Sequence, residues 1–541
     1  MTTTHIYNAK ISGRCDLQEI WIYHGKITSH PCGPADTTID AQGGFLLPGL
    51  WDQHVHVDLE AQEHTRIDLR DTSSPHDVLE RVGTYVRDLR SGKAAPQVAD
   101  SNVPIMIQAS GFRPSIWKDP AKVSELDNVT GDYPVLMISG DAHSGWLNSA
   151  AQQLFGLDHY DGLIRENEWF CLMNRITETP DYLPRLHQGM EAFIQRAGSL
   201  GVVGLRDMSF SDAMWTTWPT SMTGRLHVAV SCYPEQLQER IDQGLFTGAV
   251  YPGAGKGVDI YQGPLKMISD GSLGTRTAYC CQPYDDGGHG VQNFDRDQIR
   301  HYMGLAQAHG FEIAIHAIGD AAMDDVLSVC EAFEAAGKPL KGSLEHVQLL
   351  GSGQASRLAS LGISASIQPA HLLDDYPLAQ VIWPDRMERC YAFADLEKAG
   401  VHLMMGSDAP VAPMNPWLAM AAAVYRGPVG GGRPGTVGGD VPALSGGSAL
   451  GDSTSGDESP WEWEPSQRLS LQTALEASTN GNRLRDGDPG DVVIVDRDPL
   501  AYCHDKADGE TGDACAQEIA RNLLNTQVWV TVRDGKIVYE A

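Results

Sequence analysis

The sequence predicts an α/β chain built on a closed barrel of eight parallel strands, joined to a smaller sheet that the two termini form together. Three observations point there. Eight short apolar stretches alternate with helical patterns through the centre of the 541-residue chain, the signature of a parallel sheet covered by helices. Both ends are strand-like, and "WIYHGKIT" near the start resembles "VRDGKIVY" near the end, each reading as strand, Gly-Lys turn, strand. Residues 58–200 separate the first two central strands, far more than a βα loop spans, so a subdomain is expected between them.

Taken in order, residues 1–46 give the first part of the terminal sheet, because "EIWIYHGKITS" and "TTIDAQGGFLLPG" alternate apolar stretches with turns. The barrel occupies residues 47–488, with strands expected at 50–57, 201–208, 225–232, 263–271, 311–318, 342–348, 362–369 and 401–408. Helical patterns such as "DRDQIRHYMGLAQAHG" and "GDAAMDDVLSVCEAFEAAG" fall between successive strands. The insert, about residues 70–195, carries its own strand candidates, "VPIMIQASGF" and "YPVLMISGDAHSGWLN". Residues 427–460 are Gly/Ser/Pro-rich with few large apolar side chains, too little to offset ordering entropy, and read as a mobile loop after the last barrel strand. Residues 489–541, with "DVVIVDRDPL" and "VWVTVRDGKIVYEA", complete the terminal sheet.

Composition narrows the function classes. Hydrophobic residues make up 42% and charged residues 20%, as in a soluble globular protein. Forty Lys plus Arg stand against 70 Asp plus Glu, a formal charge of −30, which argues against nucleic acid, whose phosphates need a basic footprint. No apolar run approaches the ~18 residues of a membrane span, so no membrane partner is expected. The N-terminus lacks the basic segment and apolar core of a secretory signal. Ten cysteines without CxxC spacing suggest reduced thiols and a cytoplasmic location, with Cys280-Cys281 a structural pair.

The chemistry gathers at strand ends. His54 and His56 in "LWDQHVHVD" lie two residues apart, so on a strand both imidazoles project from one face. The ends of later strands supply Lys266 in "PLKMISDG", His316 in "AIHAIGD", His346 in "LEHVQ" and Asp408 in "MMGSDAP". Singly each admits a structural role: His316 in the core, Lys266 paired with Asp270, Asp408 capping a loop. Together they occupy the rim where barrel enzymes assemble their sites. Imidazoles with a carboxylate suit a divalent ion, zinc in particular. Zinc brings the pKa of a bound water to roughly 7, and Asp408 is placed to accept its proton and return it to a leaving nitrogen.

These stretches resemble the metal-dependent amidohydrolase superfamily, within it the amidohydrolase-3 or YtcJ-like branch that includes N-substituted formamide deformylases. The resemblance runs over nearly the whole chain, through "LLPGLWDQHVHVD", "GDAHSGWLNSAA", "DGLIRE", "KMISDGSLGTRTA", "IAIHAIGDAAMDDVL", "LEHVQ", "SIQPAHL", "GSDAPVAPMNPW" and "GDVVIVDRDPL". It implies a (β/α)8 TIM barrel, a β-sandwich made from both termini, an insert after barrel strand 1, and hydrolysis of a C–N bond other than a peptide bond in a small molecule. It further implies that His54, His56, His316 and His346 are metal ligands for one or two Zn2+ ions. Lys266 matches the lysine that is carbamylated in binuclear members, and Asp408 the catalytic acid/base.

For the substrate, "GDAHSGWLNSA" offers His143, Trp146 and Asn148, and "GSLGTRT" offers Arg276; Trp146 also suits packing and Arg276 an internal ion pair. His371 in "QPAHL" is a candidate to stabilise a developing oxyanion. The same hydroxide and aspartate would serve a metal-dependent esterase or deaminase, and a non-catalytic scaffold is the reading from another class. The partner expected is a small-molecule substrate, and a homodimer is compatible with the sequence.

Overall fold

In the computed structural model, residues 3–11, 17–30, 33–98, 106–157, 160–221, 224–251, 260–429, 461–501 and 513–541 are described. The predicted Gly-rich loop lies outside these from residue 430 to 460, as do Cys15, Cys32 and Cys503; the seven cysteines inside them are free thiols. No helix among the described residues is long and apolar enough to cross a membrane.

Eight parallel strands pair in chain order: β1 (Leu50–Val55), β2 (Val202–Asp207), β3 (His227–Cys232), β4 (Ile260–Ile268), β5 (Ile313–Ala317), β6 (Gly342–His346), β7 (Ser364–Ile367) and β8 (Leu403–Met405). All eight fall where the sequence placed them. Closure comes just past β8. Val55 forms a parallel bridge with Ala409, the Asp408 amide donates to the His54 carbonyl at 2.6 Å, and the His56 amide donates to the Ala409 carbonyl at 2.9 Å. Asp52 fastens the same seam, accepting from the Ser407 amide at 2.9 Å and the Ser407 hydroxyl at 2.5 Å.

Helices cover the barrel where apolar residues recur at helical spacing. The helix Arg296–Ala308 begins with Asp295, whose carboxylate accepts from the amides of Asp297 and Gln298, and buries Ile299, Met303 and Ala306. Residues three and four apart thus share one face, and the capped end satisfies donors that the helix itself cannot.

The insert is a five-stranded sheet running, in spatial order, Leu163–Arg165, Ser144–Leu147, Val135–Ser139, Ile107–Phe112 and Ile67–Asp68. The helix Pro75–Arg90 packs on it. Ser74 caps that helix, Pro75 opens it, and Val78, Val82 and Val86 face the sheet beside Phe112, Leu126 and Trp146. At the other side of the barrel, strands Thr3–Ile11 to Phe45–Pro48 join Val492–Val495, Val528–Arg533 and Lys536–Glu540 in one eight-stranded sheet. The two similar motifs are tight hairpins: His24-Gly25 and Asp534-Gly535 all have positive φ, which favours glycine at the second turn position. The hairpins meet through Gly490, whose amide donates to the Gly25 carbonyl and whose carbonyl accepts from Gly535.

Candidate metal centre

Each histidine reaches the barrel mouth for a local reason. His54, on β1, is fully buried; its Nδ1 donates to Glu345 Oε2 at 2.7 Å. That bond fixes the tautomer and leaves Nε2 as the lone-pair nitrogen, 3.3 Å from Asp408 Oδ1 and 3.3 Å from Lys266 Nζ. His56 stands just beyond β1 with its ring stacked on Phe210 at 5.1 Å, and its Nε2 is 3.2 Å from the same Asp408 oxygen. His316, on β5, donates from Nε2 to the Gly271 carbonyl at 3.2 Å, its ring 4.5 Å from that of His346.

The chain turns sharply where β6 and β8 hand over to their loops. His346 has φ 69°, Val347 φ 49° and Asp408 φ 58°. Left-handed backbone at non-glycine residues costs energy and clusters at functional sites. Here it swings side chains from the strand ends toward one point: donor atoms of His54, His346 and Asp408 lie within 4.8 Å of one another. Asp408 Oδ1 is buried and, despite its two imidazole neighbours, accepts no hydrogen bond of sound geometry; His346 Nδ1 and His371 Nε2 are likewise buried and unpartnered. Convergent donors left unpaired in this way fit a divalent cation, and the histidine-carboxylate chemistry fits zinc. His371 opens the helix His371–Ile382 after β7, with Nε2 3.7 Å from Asp408 Oδ2.

Burial sets the protonation of the site. It pushes His54 down to about 4, with the Lys266 charge adding to the effect, and takes His316 and His346 well below the ordinary imidazole value. Lys266 is pushed down to about 8 by burial, against the pull of Glu345 and Asp408. Burial raises a carboxyl, yet the imidazoles of His54, His56 and His346 outweigh it and hold Asp408 well below the usual carboxylate range. His54, His316 and His346 are therefore presented as neutral imidazoles and Asp408 as an ionised carboxylate.

Above these residues opens a cavity of about 880 Å³, walled by the insert on one side and the helix His371–Ile382 on the other. His143 lines it, with Nδ1 3.2 Å from Glu166 Oε2 and its ring 5.5 Å from His316. Arg276 lines it as well. Trp146 and Asn148 do not, which corrects the expectation that they contact substrate. Trp146 is fully buried in the insert core, its ring 5.9 Å from Trp117. Asn148 caps the helix Ser149–Leu154, accepting from the Ala151 and Val135 amides and donating to Thr130 Oγ1 and the Tyr133 carbonyl. Four such bonds leave nothing for a ligand.

Sequence reading passed over the layer beneath. Glu345 is fully buried and ionised, accepting from His54, from Ser343 Oγ at 2.5 Å and from Arg206 Nη2 at 3.4 Å; burial raises it, but Arg206 and His54 carry it far below its normal value. Asp270 accepts from the amides of Ile318, Gly319 and Tyr279, and lies 3.4 Å from His316 Nε2. The alternation of Ser343 and Glu345 on one face of a buried strand was the available signal, since inward-facing polar residues need partners inside the barrel.

The family profile described as "Amidohydrolase family" matches residues 37–539. The putative amidohydrolase YtcJ of Bacillus subtilis is 25% identical over 420 residues, covering 73% of this chain and 75% of the relative. An N-substituted formamide deformylase of Arthrobacter pascens is 24% identical over 429 residues, covering 73% and 76%. Among solved structures, an uncharacterized metal-dependent hydrolase from Pyrococcus horikoshii shares the fold with a TM-score of 0.66 at 23% identity, over 92% of this chain and 98% of that one.

Proposed function

The chain belongs to the amidohydrolase family of hydrolases, and from that premise we propose that it cleaves a C–N bond of the amide or formamide type in a small molecule. The observation that carries this reading is the meeting of His54, His346 and Asp408 around one cation-sized point at the floor of a cavity large enough for a small substrate. His54, His56, His316 and His346, with Asp408, would hold one or two zinc ions. Lys266 serves as a ligand once it is neutral or carbamylated, since an ammonium beside cations is repelled and a carbamate offers two anionic oxygens. A bound divalent ion supplies Lewis acidity and an acidified water.

The protein's own groups do the rest. Asp408 is ionised, so it accepts a proton at a carboxylate oxygen as the nucleophile attacks and delivers it to the departing nitrogen. His371, beside Asp408 Oδ2, donates toward the oxygen that gains negative charge at the carbonyl. Glu345 holds His54 in the tautomer whose Nε2 faces the site. The N-substituted formamide deformylase among the relatives is in keeping with an amide substrate.

Metal content of the purified protein, loss of activity on chelation, and a panel of amides, esters and exocyclic amines read by formate, carboxylate and ammonia release test the proposal. Amide turnover should dominate, and Asp408→Asn should lower it roughly 10²–10⁴-fold, the usual contribution of a general acid–base. Full turnover by Asp408→Asn refutes the proton-transfer role. Preferential ester cleavage or ammonia release from exocyclic amines moves the protein to another branch of metal-dependent hydrolysis.

A further inference from the structure

Four arginines line the cavity, and three of them are spoken for. Arg66 pairs with Glu63 at 2.8 Å, Arg70 with Asp68 at 2.8 Å, and Arg113 with Asp374 at 3.0 Å across the gap between insert and barrel. Arg276 is exposed to the cavity and has no acidic side chain within ion-pair distance among the described residues. The carboxylates of the same wall are committed elsewhere. Asp71 pairs with Arg81, Asp141 takes the Ser139 and Ser272 hydroxyls, and Asp375 takes Gln348 and Tyr391. A guanidinium is never neutral at working pH, so Arg276 presents to the cavity a positive charge that no ion pair among the described residues answers.

The loop that carries Arg276 is built rigidly. On either side of it, Thr275 and Thr277 donate their hydroxyls to Glu166 of the insert, Thr277 at 2.5 Å, while Ser272 donates to Asp141 at 2.8 Å. The Arg276 backbone is itself left-handed, with φ 59°, a conformation disfavoured for a side-chain-bearing residue and kept only when its surroundings enforce it. The loop also touches the metal centre: the Gly271 amide donates to the Thr277 carbonyl at 3.2 Å, and the Gly271 carbonyl accepts from His316 Nε2. One element thus fixes a metal-site histidine at one end and an unmatched arginine at the other.

We propose that Arg276 is the receptor for an anionic group on the substrate, so that the amide hydrolysed here carries a carboxylate, as an N-acyl amino acid does. Carboxylate geometry matches the guanidinium fork, which binds it through two parallel hydrogen bonds. The cavity also offers apolar faces, with Phe210 stacked on His56 and Phe170 set 5.3 Å from the His143 ring, and these accept the uncharged portion of the molecule. The proposal rests on the hydrolase reading above and names its substrate class.

The test uses the full-length, zinc-loaded protein and two matched probe pairs, N-acetylglycine with N-acetylglycinamide, and N-phenylacetylglycine with its amide. Members of each pair are nearly equal in size and differ by one charge. Binding is measured by calorimetry, and initial rates are measured for any probe that is cleaved. Wild type should favour the acid over the amide by at least about tenfold, the size of one charge-assisted hydrogen bond. Arg276→Met, which keeps the aliphatic length, should abolish that preference with metal content unchanged, and Arg276→Lys should retain part of it. Wild type that shows no preference for the acid, whether it binds both forms alike or neither, overturns the proposal. So does a preference that survives in Arg276→Met, since the carboxylate is then held by the metal instead. Failure of the hydrolase reading looks different: no retained metal and no cleavage of any amide, with the charge preference in binding still measured on its own.

Discussion

Replacing Glu345 by glutamine should weaken metal binding although Glu345 is not itself a proposed ligand, because it holds the ligand His54. The carboxylate is fully buried and receives three donors: His54 Nδ1 at 2.7 Å, Ser343 Oγ at 2.5 Å and Arg206 Nη2 at 3.4 Å. An ionised carboxylate accepts all three, whereas a glutamine amide must point its NH2 somewhere. Turned toward Arg206 and Ser343, it opposes a cation and a hydroxyl donor. Turned toward His54, it requires Nδ1 to accept, which shifts the imidazole proton to Nε2 and removes the lone pair from the site. Either choice sacrifices a charge-assisted bond, roughly 1.5–3 kcal/mol, and the loss of such an orienting partner typically costs about 10–100-fold in metal affinity. Competition against a chromophoric chelator measures this directly. Asp181→Asn serves as the control, because it breaks a buried pair with Arg185, 2.7 Å apart, and neither residue lines the cavity. Affinity within twofold of wild type in Glu345→Gln, or an equal loss in the control, would refute the tautomer argument.

The contribution of His54 to metal retention should persist on acidification until about pH 4, because a proton competes for an imidazole lone pair only near that group's own pKa, which burial and then Lys266 lower for His54; equilibrium dialysis in which wild type retains metal better than His54→Ala at pH 7 but no better at pH 5.5 contradicts it. Lys266 is about half neutral at pH 8, so bicarbonate should speed metal reconstitution, increasingly as pH rises from 7 to 8, and Lys266→Met should be indifferent to it. Trp146→Ala should destabilise the insert by ~3–5 kcal/mol and Asn148→Ala by ~0.5–2 kcal/mol in denaturant melts, both with KM unchanged; an altered KM at normal stability would return either residue to the substrate site.

The barrel was legible because its strands are short, mostly apolar runs alternating with helical patterns, and five of them end on a titratable residue at the same rim, which local pattern records. His54, Lys266, His316, His346 and Asp408 could be named from those endings alone. The second layer was illegible for the converse reason. Glu345 and Arg206 sit inside the strands, and only the barrel's curvature brings β2 and β6 to the same interior point. The fate of "GDAHSGWLNSA" shows the limit at finer scale. His143 faces the cavity, while Trp146 turns into the insert core and Asn148 becomes a helix cap. Nothing in the spacing tells which face of Ser144–Leu147 meets the barrel, since the insert supplies its own core on the other side.

The unpaired atoms at the barrel mouth tie the candidate chemistry to stability. Asp408 Oδ1, His346 Nδ1 and His371 Nε2 are buried without hydrogen-bond partners, and each such group costs about 1–3 kcal/mol when left unmet. Glu345, a few ångströms below, shows that this fold can satisfy a buried charge completely when the charge is structural. A cation shared by Asp408 and His346 would relieve both of their costs in one event, so zinc should act on the folding equilibrium as well as on catalysis. Binding confined to the folded state raises unfolding free energy by about 2.7 kcal/mol at a free concentration 100 times Kd. Denaturant melts of chelated protein titrated with Zn2+ should show that rise, and Asp408→Asn, deprived of the anionic oxygen, should show less of it. A midpoint that ignores zinc would mean the convergence of these side chains is an accident of packing.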